Sequence, residues 1–248
     1  MLLAATIPTI LLLCTERCSG LAAANIALQA VLFLVLAHIP SLATGRMSYV
    51  DLAWPWGLAG MGLLAAVSSG WGGLRPALAS LAFLLQGLRM GLGAVRLARE
   101  GHLATELPRY QYQQRRWARQ GVTQPASLSY TLTMQREILV QCVANTGLLV
   151  LPLMLQTIPY LTGPLTAPEL AGWILWLASY AFEHTADLQK KSFIADCKRK
   201  KEKGAVCEVG LWRYSRHPNY FGEWMVSAHY PVWGACICNT GAGRCGTL

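Results

Sequence analysis

Apolar residues run along this chain in long blocks separated by short polar or strongly basic stretches. A membrane-crossing helix needs about 20 mostly apolar residues. Blocks of that kind lie at residues 21–39, 52–68, 74–93, 137–158 and 168–186, with a short one at 2–13 and a weaker one at 219–238. The pattern predicts an all-α fold: a polytopic transmembrane helical bundle with about six to seven spans. No repeat, low-complexity tract or linker interrupts it, so residues 1–248 are read as one membrane domain. The 2–13 block lacks a preceding basic region, which argues against a cleaved signal.

Composition sharpens this picture. The 248 residues are 54% hydrophobic and only 13% charged, with a mean hydropathy of +0.35, whereas a soluble domain carries about 25% charged residues. The net charge of +9 is concentrated in two segments. Residues 96–119 hold six Lys/Arg against Glu100 and Glu106, a net of +4. Residues 188–217 hold nine against Asp196, Glu202 and Glu208, a net of +6. Both are expected to be loops. Two spans separate them, so they fall on one side, with the connector containing Arg46 on that side as well. The uncharged link YLTGPLTAP (160–168) suits the opposite side. Basic runs can bind nucleic acid, but beside apolar spans they serve as cytoplasmic anchors near anionic lipid. Membrane lipids, and no nucleic acid, are the expected partners. The eight cysteines show neither a disulfide framework nor zinc-ligand spacing, so free thiols and no metal are expected.

Polar residues within the spans come next, because an ionisable group in lipid is costly and faces the bundle interior or a cavity. Glu137, Gln141 and Asn145 recur every four residues and share a helix face. Glu183 and Asp187 do the same, with His184 beside them, and Gln86 and Arg89 share a face of 74–93. Gln141 and Asn145 are read mainly as hydrogen-bonding neighbouring helices. The glycines of GLAGMG (57–62) and GLRMGLG (87–93) are read as permitting close helix packing. GAGRCG (241–246) fits the dinucleotide fingerprint only in spelling, since it lacks the strand and helix that make the fingerprint work.

The stretch LWRYSRHPNYFGEW (211–224) is the richest in chemistry. Pro218 suits the first position of a helix and drives His217 out of helical geometry. Asn219 and Glu223 then share a face next to Tyr220. Free N–H groups of the first turn, with Arg213, Arg216 and His217, make a site for a phosphate or another anion. An interfacial anchor would also gather Trp, Tyr and Arg, but it does not call for Asn and Glu on one face. The helix is expected from about Pro218 to Ala228, followed by a break at Pro231 and disorder over 239–248.

RYSRHPNYFGEW (213–224), ADLQKKSF (186–193), SYVDLAWPWGL (48–58), and GLR (87–89) followed by RYQYQQRRW (109–117) together resemble the steroid 5-alpha-reductase-like membrane proteins of the DUF1295 group, over about residues 45–226. The wider superfamily includes sterol reductases and isoprenylcysteine carboxyl methyltransferases. The resemblance implies a helical membrane enzyme, resident in the endoplasmic reticulum by family habit, whose C-terminal half binds NADPH, or S-adenosylmethionine in the methyltransferases. It implies that Asp187, Asn219, Tyr220 and Glu223 contact the cofactor, with Arg213, Arg216 and His217 near its phosphates. In such a reductase a hydride reaches the β-carbon of a lipid-like enone (steroid, sterol or fatty acyl) while an acid polarises the carbonyl. Tyr214 and Glu137 are the candidates for that acid. ADLQKKSF upstream of RHPNYFGE favours the reductase branch; the alternatives are a methyltransferase or an inactive relative. After residue 226 the family's apolar helix and basic-aromatic ending give way to SAHYPVWGACICNTGAGRCGTL, read as a divergent tail.

Overall fold

The computed structural model describes residues 16–69, 73–122, 127–148, 164–202 and 204–226. Every regular element among them is helical. The chain divides into two units, Met1–Pro159 and Tyr160–Leu248.

In the first unit, α1 (Glu16–Phe33) passes through a π-helical turn (Leu34–His38) into α2 (Ile39–Thr44). Gly45, at φ 69°, ends it in the left-handed conformation that glycine adopts without a Cβ clash, and its N–H returns to Ser41 O at 2.8 Å. Then follow α3 (Val50–Ser68), α4 (Leu74–Arg99), a short 3₁₀ turn (His102–Ala104), α5 (Pro108–Arg119) and α6 (Leu128–Leu148). Among the described residues three helical stretches are long and apolar enough to cross a membrane: Ser19–Thr44, Val50–Ser68 and Leu74–Arg99. They coincide with the apolar blocks at 21–39, 52–68 and 74–93. The block at 137–158 begins nine residues earlier than expected, at Leu128. The 2–13 block, residues 149–158 and the tail from 227 lie outside the described residues.

Glycines bring α3 and α4 into backbone contact. A Cβ on Gly62 would lie 2.8 Å from Ser80 O and 2.9 Å from Leu84 N, and one on Gly87 would lie 2.7 Å from Pro55 O. Lipid offers no hydrophobic drive for helices to associate, so close backbone approach and interhelical hydrogen bonds hold them together. Both devices are present. Asn145 on α6 donates to Gln29 Oε1 (3.1 Å) and Trp54 O (3.3 Å), while Gln29 Nε2 donates to Gly57 O (3.0 Å). Trp54 Nε1 donates to Gln141 Oε1 at 3.1 Å. Gln141 and Asn145 therefore bind α3 to its neighbours, in the structural role expected of them.

The basic segment 96–119 is not a loop. Its first part completes α4, and α5 forms because Pro108 occupies the first helical turn after an extended Leu107. The helix buries Trp117 and half-buries Tyr110 against a core of Phe33, Met47, Val50, Tyr130, Met134 and Ile138. Glu106 fastens the segment to the α2–α3 connector. Its carboxylate accepts Met47 N–H (2.7 Å), Ser48 N–H (2.9 Å), the Ser48 hydroxyl and Gln114 Nε2 (3.0 Å). Arg46 Nη1 donates to Leu103 O at 2.5 Å. The connector and the basic segment therefore meet at one end of the bundle.

The second unit holds α7 (Ala167–Lys200), a 3₁₀ turn (Gly210–Arg213) and α8, helical over 218–226. Thr166 and Glu169 form a capping box at the start of α7, with Thr166 N–H donating to Glu169 Oε2 at 2.7 Å. The expected loop from residue 188 is helix as far as Lys200. Between Gly172 and Gly204 the sequence contains neither glycine nor proline, and lysine, arginine, leucine and alanine favour helix. Lys198, Arg199 and Lys200 in the last turn suit the negative end of the helix dipole. The helix stops where Lys201 turns left-handed (φ 57°) and Glu202 N–H returns to Cys197 O at 3.0 Å. At about 1.5 Å per residue, its 34 residues reach about 50 Å, well beyond a hydrocarbon core of about 30 Å.

Candidate functional site

The site lies in the second unit, where the chain folds back on α7. Three contacts seat the returning segment. Leu211 N–H donates to Gln189 Oε1 (2.8 Å), Trp212 Nε1 donates to Ala186 O (2.8 Å), and Lys190 Nζ stands 4.5 Å above the Trp212 ring. Gly210, at φ 56°, lies so close to Gln189 that a side chain there would collide with it. No local sequence period encodes these contacts; their one local signal is Gly210, where the positive φ and the approach to Gln189 require a glycine.

Pro218 begins α8, as the sequence implies, and Phe221 N–H closes the first turn onto His217 O at 3.2 Å. One turn on, Gly222 lies against the α7 backbone: a Cβ there would come within 2.9 Å of Glu183 Cα and 3.0 Å of Glu183 N. Phe221 meets Phe182 edge-on, with centroids 5.9 Å apart. This approach brings together two predicted site residues, Asn219 and Asp187. Asn219 Nδ2 donates to Asp187 Oδ1 at 3.2 Å, and Asn219 Oδ1 is buried with no hydrogen-bond partner among the described residues. A buried amide oxygen without a donor costs about 1–3 kcal/mol, so a ligand N–H or O–H reaching it gains that much.

The other predicted residues ring this pair. Tyr220 is exposed and stacks on the His217 ring, centroids 5.1 Å apart. Glu223 is half-buried, one turn beyond Asn219. Arg213, at the end of the 3₁₀ turn, and Arg216 are exposed, and neither forms an ion pair with a described residue. Tyr214 is 84% exposed. Glu137 belongs to the first unit, on α6, half-buried and 3.7 Å from Arg136 Nη2. The first unit also contains an apolar groove of about 400 Å³ between α1, α3 and α4, with Leu28, Leu32, Trp56, Gly60 and Leu84 in its walls.

Three apolar helices of spanning length, polar ladders joining them and glycine-mediated contacts define an all-helical integral membrane protein. The family model described as "Protein of unknown function (DUF1295)" matches residues 37–240. The chain belongs to this family, which is related to the steroid 5-alpha-reductase-like membrane proteins. Neither a curated protein nor a solved structure matches the chain.

Proposed function

We propose that the protein is an integral membrane oxidoreductase that uses NADPH to reduce a carbon–carbon double bond of a lipid-like enone of the steroid, sterol or fatty acyl class. The observation carrying this reading is the Asn219–Asp187 pair. Asp187 fixes which way the amide faces, leaving Asn219 Oδ1 as a buried acceptor. A carboxamide or amino group is the complementary ligand feature, and a nicotinamide or adenine ring carries one. Arg213 and Arg216, without carboxylate partners among the described residues, and the opening turn of α8 suit the cofactor's phosphates. The residues present therefore fit the cofactor. Asp187 and Asn219 would hold it, with Tyr220 and Glu223 beside them and His217 with the arginines at its phosphates.

The cofactor, when bound, supplies the hydride to the β-carbon of the enone. The protein's part is to orient it, to keep water away and to supply the proton. Tyr214, in the loop that carries the cofactor residues, is the proposed acid that would polarise the carbonyl oxygen, the resulting enolate then taking its proton at the α-carbon; Glu137 is the other candidate. The apolar groove of the first unit suits a lipid-like molecule.

The test is saturable binding of fluorescent NADPH to the full chain in detergent, with S-adenosylhomocysteine as competitor. NADPH binding that Arg216→Ala and Asn219→Ala each weaken is expected. Displacement by S-adenosylhomocysteine but not by NADP would move the protein to the methyltransferases. Binding of neither would leave an inactive relative.

A further inference from the structure

We infer that the outward face of α5 is a binding surface for the headgroups of anionic phospholipids, separate from the cofactor cluster. Tyr112, Arg115, Arg116 and Arg119 are spaced i, i+3, i+4, i+7 and so form one stripe of the helix. All four are exposed, Tyr112 at 67%. None of the three arginines has a hydrogen-bond or ion-pair partner among the described residues. Their neighbours differ. Arg46 donates to Leu103 O, Arg96 pairs with Glu100 at 2.9 Å, and Arg109 pairs with Asp51. Glu106, the nearest acid in sequence, is committed to Met47, Ser48 and Gln114. The stripe therefore carries three positive charges with no counter-charge of its own.

The stripe is also held in place. The opposite face of α5 is fixed by Trp117 in the core, by Gln114 donating to Tyr130 Oη (2.6 Å) and by Tyr110 donating to Asp51 (2.5 Å). A surface ordered beforehand loses little entropy when it binds.

Its place in the chain names the partner. Eight residues (100–107) join α5 to α4, a helix of membrane-crossing length. Glu106 ties the same segment to Ser48, two residues before α3, which is also of that length. The arginines are thus confined to the layer where headgroup phosphates lie. Guanidinium groups grip phosphate with paired donors, and tyrosine settles at headgroup depth. An arginine near an anionic surface contributes about a fivefold gain in affinity, and three together a gain on the order of a hundredfold.

The test is native mass spectrometry of the full chain in dodecyl maltoside with added phosphatidylserine or phosphatidylcholine. Phosphatidylserine should be retained preferentially. The triple variant R115Q/R116Q/R119Q should lose that preference, each single variant should lose part of it, and R115K/R116K/R119K should keep most of it. The single variants decide the matter if the triple variant does not fold. A preference unchanged in the variants, or absent in the wild type, overturns the proposal. Displacement of phosphatidylserine by an equal concentration of inorganic phosphate assigns the stripe to a soluble anion. Tighter binding of a polyglutamate peptide assigns it to an acidic protein. Either result also overturns the proposal.

Discussion

Asn219 on α8 donates its side-chain amide to Asp187 on α7 across 3.2 Å, closing a contact between residues 32 positions apart in the chain. The bond holds the first turn of α8 in place and leaves Asn219 Oδ1 as the amide atom that the proposed function gives to a ligand. Asn219→Ala removes both functions, Asp187→Asn only the charge. A double-mutant cycle of Asn219→Ala and Asp187→Ala on thermal unfolding is expected to give a coupling of about 1 kcal/mol, typical of a partly exposed hydrogen bond. On the proposed function, NADPH affinity should fall further in Asn219→Ala than in Asp187→Asn. Equal losses would deny Asn219 Oδ1 its assigned role.

Gly222 should tolerate no side chain. The atoms a Cβ would strike include Glu183 Cα and N, which are backbone and cannot rotate away. Gly222→Val is expected to push α8 off α7 and lower stability by about 1–3 kcal/mol, the usual cost of overpacking. The Trp212 indole, whose N–H bonds Ala186 O nearby, reports the change through its fluorescence. A spectrum and melting temperature like the wild type's would refute this.

The three spans 21–39, 52–68 and 74–93 were legible because lipid exposure and helix packing both demand unbroken apolar blocks. The helices in the basic segments were not, because a run of charges is compatible with both a loop and the solvated face of a helix. In α5 the informative residues were Tyr110, Gln114 and Trp117, spaced i, i+4, i+7 behind Pro108, which give a buried face under a basic surface. In α7 the absence of any breaker before Gly204 outweighed the lysines. For the candidate site, Asp187 and Asn219 are the residues that the family resemblance singles out. Their contact, and the seating of Trp212 on Ala186 and of Leu211 on Gln189, join residues 22 to 32 apart that no local period encodes.

The Tyr110 hydroxyl gives a pH signature in the first unit. Burial, followed by the neighbouring Asp51 carboxylate, pushes its pKa well above the ordinary value of about 10. Because the folded value is the higher one, its contribution to stability is complete below about pH 10 and is lost as pH rises from there towards the folded value. Wild type should therefore lose melting temperature more steeply above pH 10 than Tyr110→Phe, and the two curves should run parallel at neutral pH. Parallel curves throughout would show that the phenol ionises as freely folded as unfolded.

Asn145 separates two kinds of damage at the α1–α3–α6 junction. Both its N–H groups face acceptors, Gln29 Oε1 and Trp54 O, while its own oxygen is buried without a partner among the described residues. Asn145→Leu deletes two interhelical hydrogen bonds, each of about 0.6 kcal/mol by the average for membrane helices, and also removes the unsatisfied oxygen. A loss of about 1–3 kcal/mol is expected, since Gln29 Oε1 is left buried without this donor, while deleting the Asn145 oxygen offsets part of that cost. Asn145→Asp is nearly isosteric but sets a carboxyl oxygen against those same two acceptors inside the bundle. It must ionise there, at a cost of several kcal/mol, or stay protonated with only one donor for two acceptors. Asn145→Asp should therefore be clearly less stable than Asn145→Leu in thermal unfolding in detergent, despite being the smaller change in shape. The reverse order would mean that Asn145 acts through the size of its side chain rather than through its two donors.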